Sequence, residues 1–226
     1  MESIDPEDLY EERGTVSFAR PLLQGDIFAG VIVPGLSTDP ITVQIVTHPC
    51  SMRRGTDLNE RIQVVPVENY QRVSDWGGHL RVMPLPDLLE DGDHYAAKFV
   101  DLSATAAGEL TVDKRIASLS QRGILVLQQR LVMHSTRVDM SVTVFREQSA
   151  PVLAEAEMQE IWTELVLGDD PESLAEVASV GQEFQGWLDE ASGRRRDDLK
   201  SEANHAGLRR AVRDEATRRR TDRVGG

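Results

Sequence analysis

The sequence predicts an α+β protein: a small bent antiparallel sheet or partly closed barrel, followed by a C-terminal helical region. Two observations carry this. Between residues 26 and 102, short β-branched segments alternate apolar and polar positions and are separated by Pro and Gly turns. Beyond residue 158 the apolar positions switch to helical spacing. Four regions follow: an acidic flexible arm at 1–13, a barrel-like sheet with an associated helix at 14–148, a helical hairpin at 149–192, and a basic, marginally helical tail at 193–226.

Asp26–Val33 is apolar enough for a strand, and Pro34-Gly35 ends it. Ile41–Thr47 sets Ile41, Val43 and Ile45 on one face, and Pro49 stops regular pairing. Arg61–Val67 alternates again, with Pro66 suggesting an edge or a strand end. His79–Pro84 and Tyr95–Leu102 read as further strands, after the loop Trp76-Gly77-Gly78 and the turn Asp91-Gly92-Asp93. Ile116, Leu119, Gly123, Leu127 and Leu131 share a helix face, which makes 114–135 mainly helical; a strand at 123–128 is the rival. Met140–Arg146 reads as a strand.

Met158, Ile161, Trp162, Leu165 and Val166 follow the amphipathic helix rule, and Gly168 can end that helix. Asp170 and Pro171 would start the next one, with Leu174, Val177, Phe184 and Leu188 on its stripe. Trp162, Phe184 and Trp187 read as core anchors. In 194–223 the apolar positions Leu199, Ala203, Ala206 and Val212 are sparse, so a helix there is marginal alone.

The chain has 226 residues and a net charge of −13, which disfavours nonspecific attachment to DNA or anionic lipid. The charge is uneven. Glu2, Asp5, Glu7, Asp8, Glu11 and Glu12 crowd the first dozen residues, whereas 194–226 carries eleven Lys or Arg against six Asp or Glu. One cysteine excludes an internal disulfide framework and fits a reducing cytoplasm. No secretory signal and no stretch of ~18 apolar residues is visible.

The candidate site is the loop after the second strand, with His48, Cys50, Arg53 and Arg54. Positive charge beside a cysteine favours its thiolate, and a Cys-His pair can make a nucleophile or two metal ligands. A metal site would need His79, His94 or His134 from far along the chain. The simplest reading makes Cys50 a small buried residue at a strand end and leaves Arg53 and Arg54 exposed by a turn. No metal and no cofactor is expected, and no catalytic residue is assigned. No G-x-S-x-G, phosphate-binding loop or dinucleotide fingerprint occurs. The arginines of the tail, Arg194, Arg195, Arg196, Arg218, Arg219 and Arg220, are candidate partner contacts. No aromatics are interleaved with them, as single-strand stacking would require.

Gly25-Asp26-Ile27, the strand and loop after it, and Gln63–Val67 resemble the opening of PemK/MazF-type proteins, small SH3-like barrels that are mostly RNA-cutting toxins. The resemblance covers residues 20–70. It implies an SH3-like barrel and a metal-independent endoribonuclease, with Arg53 or Arg54 as phosphate contact. Asp39-Pro40 before the second strand and Thr47-His48-Pro49-Cys50 after it depart from the toxin pattern. The stretch is also similar to uncharacterised bacterial proteins with a GD(I/V) strand that ends in a Ser/Thr-x-x-Cys turn. In those proteins a later helix matches Leu119, Gly123, Leu127, Arg130 and Leu131. The expected function is a noncatalytic interaction module of a bacterial cytoplasmic complex. Its partner is a protein or a nucleic acid, without a membrane, and a homo-oligomer is open. The alternative is a PemK-like ribonuclease using the Cys50–Arg54 loop.

Overall fold

The computed structural model describes residues 6–54, 57–73, 75–76, 78–168, 173–190 and 194–224. Its elements in chain order begin with a helical turn α1 (Pro6–Leu9) and the strands β1 (Tyr10–Arg13), β2 (Ile27–Val31) and β3 (Ile41–Ile45). A second helical turn, α2 (Pro49–Met52), precedes the strands β4 (Arg53–Arg54), β5 (Asp57–Leu58) and β6 (Arg61–Asn69). Then come β7 (Val82–Pro86), β8 (His94–Lys98), β9 (Ser103–Ala106) and β10 (Arg115–Leu119). The helices α3 (Gln121–Thr136), α4 (Val142–Leu167), α5 (Leu174–Glu190), α6 (Arg194–Leu199) and α7 (Glu202–Val224) complete the chain. The fold class is α+β, with a curled antiparallel half-barrel and C-terminal helices. Two compact units result, and their boundary in the second half of the chain falls inside α4, between Glu147 and Gln148.

In the first unit the sheet runs β1-β10-β2-β3-β6-β8-β7, and β9 pairs with the first half of β6. Phe28, Val31, Val43, Ile45, Met52, Ile62 and Val64 fill its interior. Pro66 is neither an edge nor an end. Gln44 pairs with Val65 on the β3 side, so Pro66 turns its nitrogen the other way. There it lies between Val64, paired with β9, and Val67, paired with β8, so its missing N–H breaks no ladder bond.

The outer edge of β7 is closed by similar means. The bond from the Phe99 N–H to the Arg81 carbonyl turns odd-numbered residues toward β8, and Val82, Pro84 and Pro86 outward. Two of these are prolines, with no N–H to offer another strand. The Tyr10 hydroxyl donates to the Pro86 carbonyl at 3.1 Å, and the Arg130 Nε to the Val82 carbonyl at 3.0 Å. Arg13 bonds the carboxylate of Asp87 at 2.9 Å. Side chains from β1 thus bridge the two ends of the sheet where no backbone ladder does.

The Gly-Asp step of β2 is structural. Gly25 has φ +94°, and a Cβ there would stand 2.8 Å from Leu119. Asp26 is buried and bonds the Leu23 N–H, the Arg115 guanidinium and the Ser118 hydroxyl, which locks β2 to β10.

Several sequence expectations need correction. The arm is not polar throughout: Leu9 and Tyr10 are buried and β1 pairs with β10. Glu2 and Asp5 lie outside the described residues. The 114–135 segment splits into β10 and α3, because Ser120 caps the helix by accepting the Gly123 N–H at 3.0 Å. The rival strand at 123–128 is helix. Gly123, unfavourable for a helix, is there for space: a Cβ would lie 2.3 Å from the Leu9 carbonyl oxygen. The strand expected at 140–146 is the start of α4, where the Ser141 hydroxyl accepts the Thr143 N–H at 3.2 Å. Its β-branched composition is overridden by that cap and by the 26-residue helix it joins.

In the second unit, Met158, Trp162 and Val166 of α4 pack with Val180, Phe184, Trp187 and Leu188 of α5. Gly168, at φ +78°, ends α4 as expected. Asp170 and Pro171, expected to start α5, lie outside the described residues, as does Gly77. The tail is not marginal here. Leu199 of α6 joins the same core, as do Leu208, Val212 and Ala216, an i, i+4 seam of α7 that includes two residues absent from the expected stripe. No described helix is long and apolar enough to cross a membrane.

Candidate functional site

The predicted loop is built from the β3 end. Thr47 accepts the Gln63 N–H on its hydroxyl at 2.7 Å, pinning the loop to β6. His48 caps α2: its Nδ1 accepts the Cys50 N–H at 3.3 Å, and Pro49 fills the first helical position. Burial holds the His48 imidazole below its ordinary pKa, which suits an acceptor Nδ1. Cys50 is exposed, not buried as expected. The turn of α2 directs the core position to Met52, which is fully buried. Arg53 is half-buried and donates from Nη2 to the Leu22 carbonyl at 2.5 Å, so it ties two segments together instead of standing exposed. The Arg54 side chain lies outside the described residues. His79, His94 and His134 do not assemble a metal centre with this loop: among the described residues no group of three His, Cys, Asp or Glu could hold a metal ion.

The tail arginines are mostly engaged within the helical unit. Arg195 lies 4.1 Å over the Trp187 ring and bonds the Trp187 carbonyl. Arg196 bonds Asp189, whose carboxyl it holds below the usual range, and Glu155. Arg218 and Arg219 both bond Glu215 and depress its pKa, and Arg219 also lies 5.2 Å over Trp162. Arg194 and Arg220 are exposed. The basic character of this segment therefore serves mainly to fasten α6 and α7 to α4 and α5.

A different constellation emerges between β6 and β7. Tyr70, Trp76 and His79 form a cluster of half-buried rings. Ring centroids are 5.5 Å apart for Tyr70–Trp76, 5.4 Å for Trp76–His79 and 6.2 Å for Tyr70–His79. The Tyr70 hydroxyl lies 3.5 Å from His79 Nδ1. Arg72, between Tyr70 and Trp76 in sequence, and Arg81, two residues past His79, are exposed.

Arg130 holds this loop from below. Its guanidinium, fully buried, donates from Nη2 to the carbonyls of Trp76 and His79, each at 2.9 Å, while Nε holds Val82. Desolvation lowers its pKa to about 10. A planar fork of donors suits three converging carbonyls better than an ammonium would. Sequence reasoning placed Arg130 on a helix and read Trp76 only as loop. The signal was present in the spacing Tyr70-x-Arg72-x3-Trp76-x2-His79-x-Arg81, where aromatics alternate with arginines. The chain matches no family model and no curated protein.

Proposed function

We propose that this chain is a noncatalytic interaction module, working in a bacterial cytoplasmic complex, that engages a macromolecular partner through the loop 70–81. The observation that carries the reading is the aromatic cluster held in place by Arg130. Surface aromatics and arginines dominate binding energies where they recur in a patch. A loop whose carbonyls are fixed by a buried guanidinium loses little conformational freedom on binding. The candidate catalytic loop supports the same side of the choice. His48 Nδ1 is engaged in a helix cap and the Arg53 guanidinium in a strand-end contact.

The test uses Gly78, where an added Cβ meets nothing within 4 Å, and Gly186 on α5, which is equally open, as control. A photo-crosslinking benzoylphenylalanine at Gly78, in the full chain in its native host, should give a discrete macromolecular adduct. The same group at Gly186 should not. No adduct, or the same adduct at both positions, would remove the loop as the binding surface. Incubation with RNA in the absence of metal tests the noncatalytic half. Cleavage by the parent that is lost in Arg53→Ala/Arg54→Ala would establish the ribonuclease alternative.

A further inference from the structure

The loop between β6 and β7 carries a more specific statement about its partner. We propose that it is a stacking platform for single-stranded nucleic acid, with bases on the exposed faces of Trp76 and Tyr70 and phosphates on Arg72 and Arg81. This rests on the loop being the interaction surface.

Three observations support it. The first is ring packing. With centroids 5.4–6.2 Å apart, the three rings touch one another and leave no space for a cation between them, which excludes an aromatic cage. What remains available is the outer surface of a preformed aromatic cluster, and every base has a flat face that can stack on such a surface. The second is charge. In a chain of net charge −13, residues 70–81 hold two arginines against one acid, Asp75. Arg72 and Arg81 are both exposed. Cations interleaved with aromatics match the alternating phosphate and base of a single strand. The third is rigidity. Arg130 fixes the Trp76 and His79 carbonyls, so the platform exists before the ligand arrives. Of this loop only Tyr70 falls within residues 20–70; Arg72, Trp76, His79 and Arg81 lie beyond the stretch that resembles RNA-cutting toxins.

The protein carries its own reporter. Trp162 and Trp187 are 0% and 3% exposed, whereas Trp76 is half-buried at the surface. Quenching of tryptophan emission by a stacked base therefore reports Trp76. The intact chain is titrated at low salt with oligo-dT, with oligo-rU and with a duplex of equal length. The dT and rU arms separate DNA from RNA as the source of the shared chemistry.

The expected result is quenching by at least one single strand, with duplex binding at least about tenfold weaker. Trp76→Leu removes the reporter, so parent and variant are compared by the fluorescence anisotropy of a dye-labelled single strand; the variant should bind about tenfold or more weakly, the loss typical for removing one stacking residue. Arg72→Gln/Arg81→Gln, a change confined to exposed side chains, should reduce the slope of log affinity against log salt by about 1.4, at roughly 0.7 per lost phosphate contact on a single strand. Circular dichroism checks that each variant is folded. Three results would overturn the inference: no binding of either single strand, binding unchanged in both variants, or equal affinity for duplex. If oligonucleotides fail but the crosslinker at Gly78 captures a protein, the loop remains the interaction surface and the nucleic-acid assignment falls. If it captures nothing, both fall.

Discussion

Replacing Arg130 with Met tests whether the buried guanidinium organises the loop. Its side chain is fully buried and donates to the carbonyls of Val82, Trp76 and His79 at 2.9–3.0 Å. Three hydrogen bonds from a charged donor contribute about 1.5–3 kcal/mol each, or roughly 4.5–9 kcal/mol together. Against this stands the cost of burying the cation. A pKa lowered from 12.5 to about 10 corresponds to about 3 kcal/mol. Trp76 keeps one partner, because its carbonyl also accepts the His79 N–H, which moderates the loss there. The Arg130→Met variant should therefore lose about 1–5 kcal/mol. Urea unfolding followed by circular dichroism measures this, and iodide quenching of Trp76 reads the loop directly. Arg130→Lys keeps a charge but not the fork and should fall between parent and Met variant. A loss under about 1 kcal/mol for Arg130→Met, with iodide quenching unchanged, would refute the idea that these bonds hold the loop.

Other contacts make independent predictions. His48→Ala removes the α2 cap and should cost about 1 kcal/mol, whereas His48→Asn should retain most of it. Because burial depresses the His48 pKa, its contribution is fully present above the ordinary value of 6.5 and is lost as pH falls through the lower folded value; an NMR titration showing a pKa at or above 6.5 would contradict this. Gly123→Ala improves helix propensity by about 1 kcal/mol but drives a methyl to 2.3 Å from the Leu9 carbonyl oxygen, so it should destabilise on balance; a raised melting temperature would show that the contact relaxes freely. Tyr10→Phe leaves the Pro86 carbonyl without that hydroxyl and should cost about 1 kcal/mol, read by urea unfolding. Removing residues 202–226 uncovers the core face of α4 and α5, so dye binding should rise and the near-UV signal of Trp162 and Trp187 should weaken; an unchanged spectrum would return the tail to a dispensable extension.

The legible and the illegible parts of this chain differ in range. The alternation in Ile41–Thr47 and Arg61–Val67 is local, and it located β3 and β6 even though Val43–Ile45 and Val64–Val67 are buried on both faces. The α4–α5 seam was equally plain, since Met158, Trp162 and Val166 recur at helical spacing on α4, as Phe184 and Leu188 do on α5. What failed depended on partners distant in sequence. Pro66 signals an edge until β6 is seen to change neighbours beside it. Gly123 weakens a helix until Leu9 lies against it. Leu208 and Ala216 are ordinary residues in a charged segment until the α4–α5 core needs covering. The candidate site failed for the same reason. Cys50 drew notice as the sole cysteine, yet the turn of α2 puts Met52 in the core and Cys50 in solvent. Arg130 stood only as one position of a matching helix pattern, and its bonds to residues 48–54 positions earlier in the chain give it a role. A buried cation is costly, so its bonds to two loop carbonyls and to the first carbonyl of β7 are a stronger pointer to a site than the chemistry of a single exposed thiol. That asymmetry explains why the loop it supports, and not the cysteine turn, is the surface on which a partner should be sought.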